Sequence, residues 1–186
     1  MPHPPRRQAI VDAALRLFAR DGFHATGMDR IASEAGVSKK TLYNHFRSRE
    51  EVVLAVLAHY DSAFRNRFAR RVEARAKSPR ARLLAVFDVA ADWFSESDFY
   101  GCLYINAIGE HSETESEFRR SCQGFKRRMR DYLGELVEAA DLPRGTALRD
   151  EFALLLEGAI VTAQIEGTPR AAKTAKRIAK RLLAEA

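Results

Sequence analysis

The segment between residues 38 and 47, SKKTLYNHFR, is dense in side chains that bind nucleic acid. Lysine ammonium groups donate to the guanine acceptors in the major groove of DNA, and an asparagine amide pairs with adenine. Hydroxyl, imidazole and guanidinium groups suit phosphate oxygens, which fix the register of a protein on the duplex. We expect base-edge contacts from Lys39, Lys40, Thr41 and Asn44, and phosphate contacts from Tyr43, His45 and Arg47. The competing interpretation is an ordinary solvated helix with mixed polar residues.

Two short helices and a tight turn, between residues 22 and 53, are predicted to position these side chains. Apolar residues recur at helical spacing in the first helix, at Met28, Ile31, Ala32 and Ala35. Gly36 is expected to end that helix in a left-handed conformation, which glycine adopts at little cost. Ser38 offers a hydroxyl N-cap to the second helix, which turns Leu42 and Phe46 inward. This arrangement is a helix-turn-helix, whose second helix enters the major groove of DNA.

The start of the first of these helices is a second expected contact with DNA. The N-terminus of a helix presents unpaired amide groups, which attract anions such as phosphate. Thr26 and Arg30 flank the predicted start at Met28, and Ser38 opens the second helix. We therefore count Thr26, Arg30 and Ser38 among the predicted DNA-binding residues.

This stretch resembles the DNA-binding domain of the TetR family of bacterial repressors. The matching residues are Gly22-Phe23, Thr26, Ile31-Ala32, Ala35-Gly36-Val37-Ser38, Thr41-Leu42-Tyr43, His45-Phe46 and Ser48. Gly27 stands where the family usually has threonine or serine, and Lys40 adds a charged arm where a small residue is frequent. A shorter segment, GCLYINAIGEH at residues 101–111, is similar to one branch of the family in its regulatory body. The resemblance implies a homodimer held by the last two helices and an inducer cavity in the body.

Composition limits the function to a few classes. The chain has 186 residues and a net charge of +6, a basic balance that favours nucleic acid or acidic membranes as partners. No apolar run reaches the roughly eighteen residues that a membrane-spanning helix needs, and the N-terminus lacks the apolar core of a secretion signal. The two cysteines, Cys102 and Cys122, form neither a disulfide framework nor a zinc set, which favours a reduced, cytoplasmic protein.

Enzymatic chemistry finds no support in the sequence. No nucleophile–base pair or phosphate-binding loop is recognisable, so we predict no catalytic residues and no cofactor. The acidic segment from Glu110 to Glu117 has a spacing that matches no metal-ligand pattern, so no metal is predicted.

The whole chain is predicted to be helical, since valine and isoleucine never gather into alternating runs typical of strands. Ser48 and Glu51 form a capping box that opens a long helix. Ser78-Pro79 begins the next one, because proline suits the first helical position. Other helices are expected at residues 6–20, 102–109, 116–140, 146–166 and 169–184. The fold class is therefore all-α, with a three-helix DNA-binding head at residues 1–47 and a helical bundle for ligand binding and dimerisation at 48–186.

The helix at 146–166 is apolar nearly all the way round from Phe152 to Ile165, where the sequence is FALLLEGAIVTAQI. Such a helix needs burial on more than one face, which predicts core on one side and a second subunit on the other. The predicted interface residues are Leu155, Gly158, Ala159, Thr162, Ile178 and Leu182. A twofold dimer places two recognition helices in successive major grooves of a near-palindromic site. The alternative is a central core helix in a monomer, and Glu157 inside the run either finds a partner or faces solvent.

Aromatic and polar side chains on successive helices of the body are candidates for the lining of a ligand cavity. The predicted ligand-binding residues are Phe64, Phe87, Trp93, Cys102, Asn106 and Phe125. Plain core packing is the alternative for each aromatic residue. Cys102 has no basic neighbour in the sequence, which favours a buried, inert thiol over a sensor.

These patterns predict a ligand-responsive transcriptional repressor. It would bind double-stranded operator DNA as a homodimer and be released by a small-molecule inducer, with no membrane partner. The alternative is a helical DNA-binding protein without a small-molecule effector.

Overall fold

A computed structural model describes residues 6–110 and 116–186, and within these ranges the protein is built from helices without strands. The helices are α1 (Arg6–Asp21), α2 (Met28–Glu34), α3 (Lys39–His45), α4 (Arg49–Arg75), α5 (Pro79–Phe94), α6 (Leu103–Gly109), α7 (Glu117–Ala139), α8 (Gly145–Glu166) and α9 (Arg170–Ala184). The all-α prediction is confirmed, and the expected helices begin and end within a residue or two of those observed. None of the described helices is long and apolar enough to cross a bilayer.

Contacts between residues divide the chain into two compact units. The first unit comprises residues 1–63 and 103–123, and the second comprises 64–102 and 124–186. The long helices α4 and α7 each contribute residues to both units. The expected boundary after residue 47 concerns the division of function and stays a prediction.

In the first unit, α1 packs against both α2 and α3. Ile10, Phe18 and Ile31 lie in its core and are at most 1% exposed. Leu42 and Phe46 hold α3 on this core at 0% and 2% exposure. Burial of one such side chain contributes about 1.5–3 kcal/mol, so these residues are a major part of what holds the two short helices on α1.

The turn between α2 and α3 has the predicted geometry. Gly36 has a φ of +65°, a left-handed conformation that favours glycine. The Gly36 amide donates to the Ser33 carbonyl at 3.1 Å, and the Val37 amide donates to the Ala32 carbonyl at 3.0 Å. These two bonds form a Schellman motif, which satisfies carbonyls at the end of α2. The chain then turns directly into α3, where Ser38 accepts a hydrogen bond from the Thr41 amide at 3.1 Å.

The start of α4 also follows the sequence pattern, with one difference. The Ser48 hydroxyl accepts from the Glu51 amide at 3.2 Å, as a capping box requires. The Glu51 carboxylate accepts from the amide of Arg47 at 2.7 Å, one residue before the amide expected of that motif. These two bonds tie the short connection after α3 to the first turn of α4.

In the second unit, α5 packs against α8 and α9, and α8 packs against α9. Ser78 caps α5, and Pro79 occupies its first turn as predicted. Phe87 of α5 meets Phe152 of α8 with ring centroids 5.7 Å apart. The second unit thus has a core of its own, formed between α5, α8 and α9.

Candidate DNA-binding surface

The outer face of α3 presents a row of polar side chains. Lys40, Asn44 and His45 are exposed, and Tyr43 is 49% exposed although it is a large aromatic residue. The opposite face of α3 carries the buried Leu42. An amphipathic short helix, anchored on one side and polar on the other, is the geometry with which a helix-turn-helix reads a groove.

Lys39 is held by a neighbouring carboxylate. Its ammonium lies 2.7 Å from the Asp29 carboxylate of α2, and hydrogen bonding and charge from Asp29 raise the pKa of Lys39 above its ordinary value. Both side chains are largely exposed, so the pair contributes little to stability. The ammonium has three donors and is largely exposed, so a base or phosphate either shares it with Asp29 or replaces Asp29.

Arg30 is engaged in a similar way at the start of α2. Its guanidinium lies 2.7 Å from Asp21, at the end of α1. Arg20 and then Arg30 hold the pKa of the Asp21 carboxyl below its ordinary value. Arg30 remains about half exposed, so it stays accessible to a phosphate beside α2.

Thr26 is placed differently from the expectation for a phosphate contact. Its side chain is fully buried, and its hydroxyl donates to the Gly22 carbonyl at 2.8 Å. This bond satisfies the hydroxyl inside the loop, so Thr26 shapes the approach to α2 instead of facing a ligand.

The remaining predicted DNA-binding residues lie near the surface. The hydroxyl oxygens of Ser38 and Thr41 are 2.9 Å apart, which orients both groups at the start of α3. Arg47 is exposed just after α3. The structure therefore brings nine of the predicted residues to one region of the first unit, all except Thr26.

Two residues outside the expected set control the loop that leads into α2. Arg49 donates from Nε to the Thr26 carbonyl at 3.2 Å, and its Nη2 donates to the Phe23 carbonyl. The Glu110 carboxylate accepts from the amides of Phe23 and His24 at 2.9 Å and 2.5 Å. Local sequence patterns do not indicate the hydrogen bonds to Glu110, because the partners are 86 and 87 residues apart.

The predicted ligand-binding residues do not form one cluster. Phe64 packs on Trp93 and Phe125 in the second unit, with centroid distances of 4.8 Å and 6.0 Å. Phe87 lies in the separate pair with Phe152. Cys102 is buried in the second unit, and Asn106 belongs to the first.

Cys102 has a basic neighbour in space although it has none in the sequence. The Lys126 ammonium lies 3.3 Å from the Cys102 sulfur and 2.5 Å from the Glu157 carboxylate. Burial alone would lower the pKa of Lys126, but electrostatic interactions and hydrogen bonds with Cys102 and Glu157 raise it above the ordinary value. Glu157 therefore finds its partner within the chain, in Lys126 of α7.

The apolar surface expected of an interface lies along α8 and α9. Leu154 and Ile165 of α8 are 75% and 80% exposed, and Ile178 of α9 is 39% exposed. A groove with a volume of 710 Å³ runs between the two helices, and we call it the α8–α9 groove. Five of the six predicted interface residues line it: Leu155, Gly158, Ala159, Thr162 and Ile178. Leu182 is half-buried and lies outside the lining.

The fold and the exposed α3 face define a helix-turn-helix protein of the kind that regulates transcription, and comparison with known proteins gives its family. Residues 10–56 match the model of the bacterial regulatory proteins of the tetR family, and residues 79–179 match the tetracyclin repressor-like C-terminal domain. The chain belongs to the TetR family of DNA-binding transcriptional regulators, which are not enzymes.

Individual relatives agree with this assignment. The HTH-type transcriptional regulator BetI of Rhizobium meliloti is 30% identical over 172 residues, which are 89% of this chain and 81% of BetI. The HTH-type transcriptional activator FasR of Mycolicibacterium smegmatis is 40% identical over 102 residues, which are 54% of this chain but only 45% of FasR. The crystal structure of SCO4454, a TetR-family regulator from Streptomyces coelicolor, has the same fold, with a TM-score of 0.88 at 24% identity over 97% of this chain and 95% of that one.

Proposed function

We propose that this protein is a ligand-responsive repressor that binds a near-palindromic operator as a homodimer. The observation that carries the proposal is the exposed polar face of α3, fixed from behind by Leu42 and Phe46. The DNA-binding residues we propose are Arg30, Ser38, Lys39, Lys40, Thr41, Tyr43, Asn44, His45 and Arg47.

The proposed dimer rests on the α8–α9 groove. Large apolar side chains exposed along one pair of helices favour burial against an equivalent surface, and a twofold axis makes the same patch serve both subunits. Two α3 helices related by that axis would read half-sites about one turn of DNA apart.

Selection of binding sites from random duplexes, followed by sedimentation of the complex, tests the proposal. We expect an enriched near-palindromic sequence bound by two chains. If each subunit neutralises about three to four phosphates, log affinity falls against log salt with a slope of about −5 to −7. A flat salt response, or saturation by a single chain, would contradict the proposal.

The proposed inducer is a small, partly apolar molecule bound in the second unit, where Phe64, Trp93 and Phe125 form an aromatic cluster. Thermal-shift screening of a compound library tests for it, since a ligand that binds only the folded protein raises stability. A stabilising compound that also weakens operator binding supports a repressor. The absence of any such compound favours a DNA-binding protein without an effector.

A further inference from the structure

The loop between α1 and α2, residues 22–27, is held by partners from two other helices of the first unit. We call it the head loop. Because α2 begins at Met28, directly after this segment, the position of the head loop sets where α2 starts. Because a short, hydrogen-bonded turn joins α2 to α3, the placement of α2 also sets the placement of the outer face of α3.

Glu110, next to the end of α6, closes one side of the head loop. One carboxylate oxygen accepts from the Phe23 amide at 2.9 Å, and the other accepts from the His24 amide at 2.5 Å and lies 2.9 Å from His24 Nδ1. Burial raises the pKa of Glu110, but the hydrogen bonds from His24 and Phe23 outweigh it and hold the pKa below its ordinary value. Glu110 is therefore a bidentate acceptor for two adjacent backbone donors.

Arg49, the first residue of α4, closes the other side. Its guanidinium donates to the carbonyls of Phe23 and Thr26 and lies over the Phe18 ring, 5.8 Å from the centroid. An anion thus satisfies donors of the head loop, and a cation satisfies its acceptors. Charged partners make stronger hydrogen bonds than neutral ones, so a few side chains define the loop.

Gly22 leaves room for the carboxylate. Its φ is +87°, and a Cβ built there would lie 3.0 Å from Glu110 Oε1. A side chain at this position, directly after α1, would therefore require the Glu110 carboxylate to shift. The Phe23 ring, stacked on Phe18 at 4.6 Å, holds the loop from the side of the core.

We propose that Glu110 is a positioning residue for DNA binding, through which α6 fixes the head loop and hence the α2–α3 pair. This role rests on the proposed function of α3 as the DNA-reading helix. Without the carboxylate, the Phe23 and His24 amides lose the hydrogen bonds to Glu110, and the loop occupies additional positions. The fraction of molecules with α2 and α3 correctly placed falls, and the apparent affinity for DNA falls by the same factor.

Because Glu110 is negatively charged, the direction in which DNA affinity changes on its removal distinguishes positioning from electrostatics. Removing one negative charge from a DNA-binding protein strengthens its attraction to phosphate in general. The positioning role predicts the opposite, weaker binding. A decrease in affinity therefore cannot arise from the change of net charge.

The test measures affinity for a duplex that the wild-type protein enriches from a random pool, together with hydrogen exchange at the Phe23 and His24 amides. For Glu110→Ala we expect affinity to fall by up to about tenfold, which corresponds to the loss of ~1.4 kcal/mol of hydrogen bonding. We also expect exchange at both amides to accelerate, because the head loop opens more often. Glu110→Gln retains one acceptor oxygen and keeps the size of the side chain, so it should recover part of both losses.

Two control variants separate positioning from stability and from charge. Ile160→Val shortens a buried side chain of α8 in the second unit and lowers stability by a similar amount without touching the head loop or the core behind α3. Glu117→Gln removes the same charge from an exposed position on α7. Both should bind the duplex as the wild type does, or slightly more tightly in the case of Glu117→Gln.

Wild-type affinity in Glu110→Ala would overturn the positioning role, as would an equal loss in Ile160→Val. Unchanged exchange at Phe23 and His24 would overturn the contact itself. If Glu110→Ala does not fold, Glu110→Gln provides the same comparison. Failure of the wild-type protein to enrich any duplex would instead overturn the proposed function, which distinguishes the two.

Discussion

Gly158→Leu should separate the proposed dimer into folded monomers. A Cβ at Gly158 meets no atom within 4 Å, so the chain itself has room for a larger side chain. Leucine also favours a helix over glycine, by roughly 0.8 kcal/mol. The substitution therefore should not unfold α8. It should instead destabilise the packing of the partner subunit in the α8–α9 groove.

The expected loss of dimer stability is estimated from the cost of overpacking the interface. An inserted side chain costs about 1–3 kcal/mol in a packed interface, and twofold symmetry inserts two, for a total of about 2–6 kcal/mol. At about 1.4 kcal/mol for each factor of ten, the dissociation constant of the dimer rises about 30-fold to 10⁴-fold.

Sedimentation equilibrium at micromolar concentration, with circular dichroism for helix content, measures both halves of the prediction. Gly145→Leu is the matched control, because it makes the same substitution in α8, has no atom within 4 Å of the new Cβ and lies outside the groove. A Gly158→Leu protein that remains as dimeric as Gly145→Leu would refute the placement of the interface. Loss of helix content in Gly158→Leu would refute the claim that the chain has room there.

Three further outcomes are expected. Lys40→Ala should reduce discrimination between matched and scrambled duplexes, whereas Tyr43→Phe should weaken both about equally; equal losses on all duplexes for Lys40→Ala would exclude a base-reading role. Leu42→Ala should lower the free energy of unfolding by about 2–5 kcal/mol in denaturant titrations, because it empties a fully buried site behind α3. Glu110 has a pKa below that of the unfolded chain, so its contribution to stability is present above the ordinary value of 4.5 and is lost as pH falls through the depressed pKa. The difference in unfolding free energy between wild type and Glu110→Gln should therefore shrink on acidification, and a constant difference from pH 7 to pH 3 would contradict it.

Local signals in the sequence were sufficient for the helices and their ends. The caps at Ser38 and Ser78, the glycine at Gly36 and the proline at Pro79 act within a few residues of themselves, so each could be recognised from its neighbours. Hydrophobic spacing placed Leu42 on the inner face of α3 for the same reason.

Pairings between distant residues could not be predicted in this way. Lys126 approaches Cys102 from 24 positions away and Glu157 from 31, and nothing in the local pattern selects these partners. Thr26 shows a related difficulty, since a polar side chain beside a predicted helix start suits either a phosphate or a backbone carbonyl. Burial of the side chain decides between a phosphate and a carbonyl partner, and burial depends on how the whole chain packs.

Arg49 and Glu110, the two charged residues that bind the head loop, also suggest how ligand binding would affect DNA binding. Arg49 begins α4, whose later residues belong to the second unit, while Glu110 follows α6 of the first. A ligand shifts a conformational equilibrium only by its difference in affinity for the two states. If a ligand displaced either helix and broke one hydrogen bond between the head loop and a charged group, affinity for DNA would fall by up to about tenfold. That value lies within the 5- to 150-fold range typical of allosteric coupling, so the proposed response needs neither unfolding of the head nor a large movement of α3.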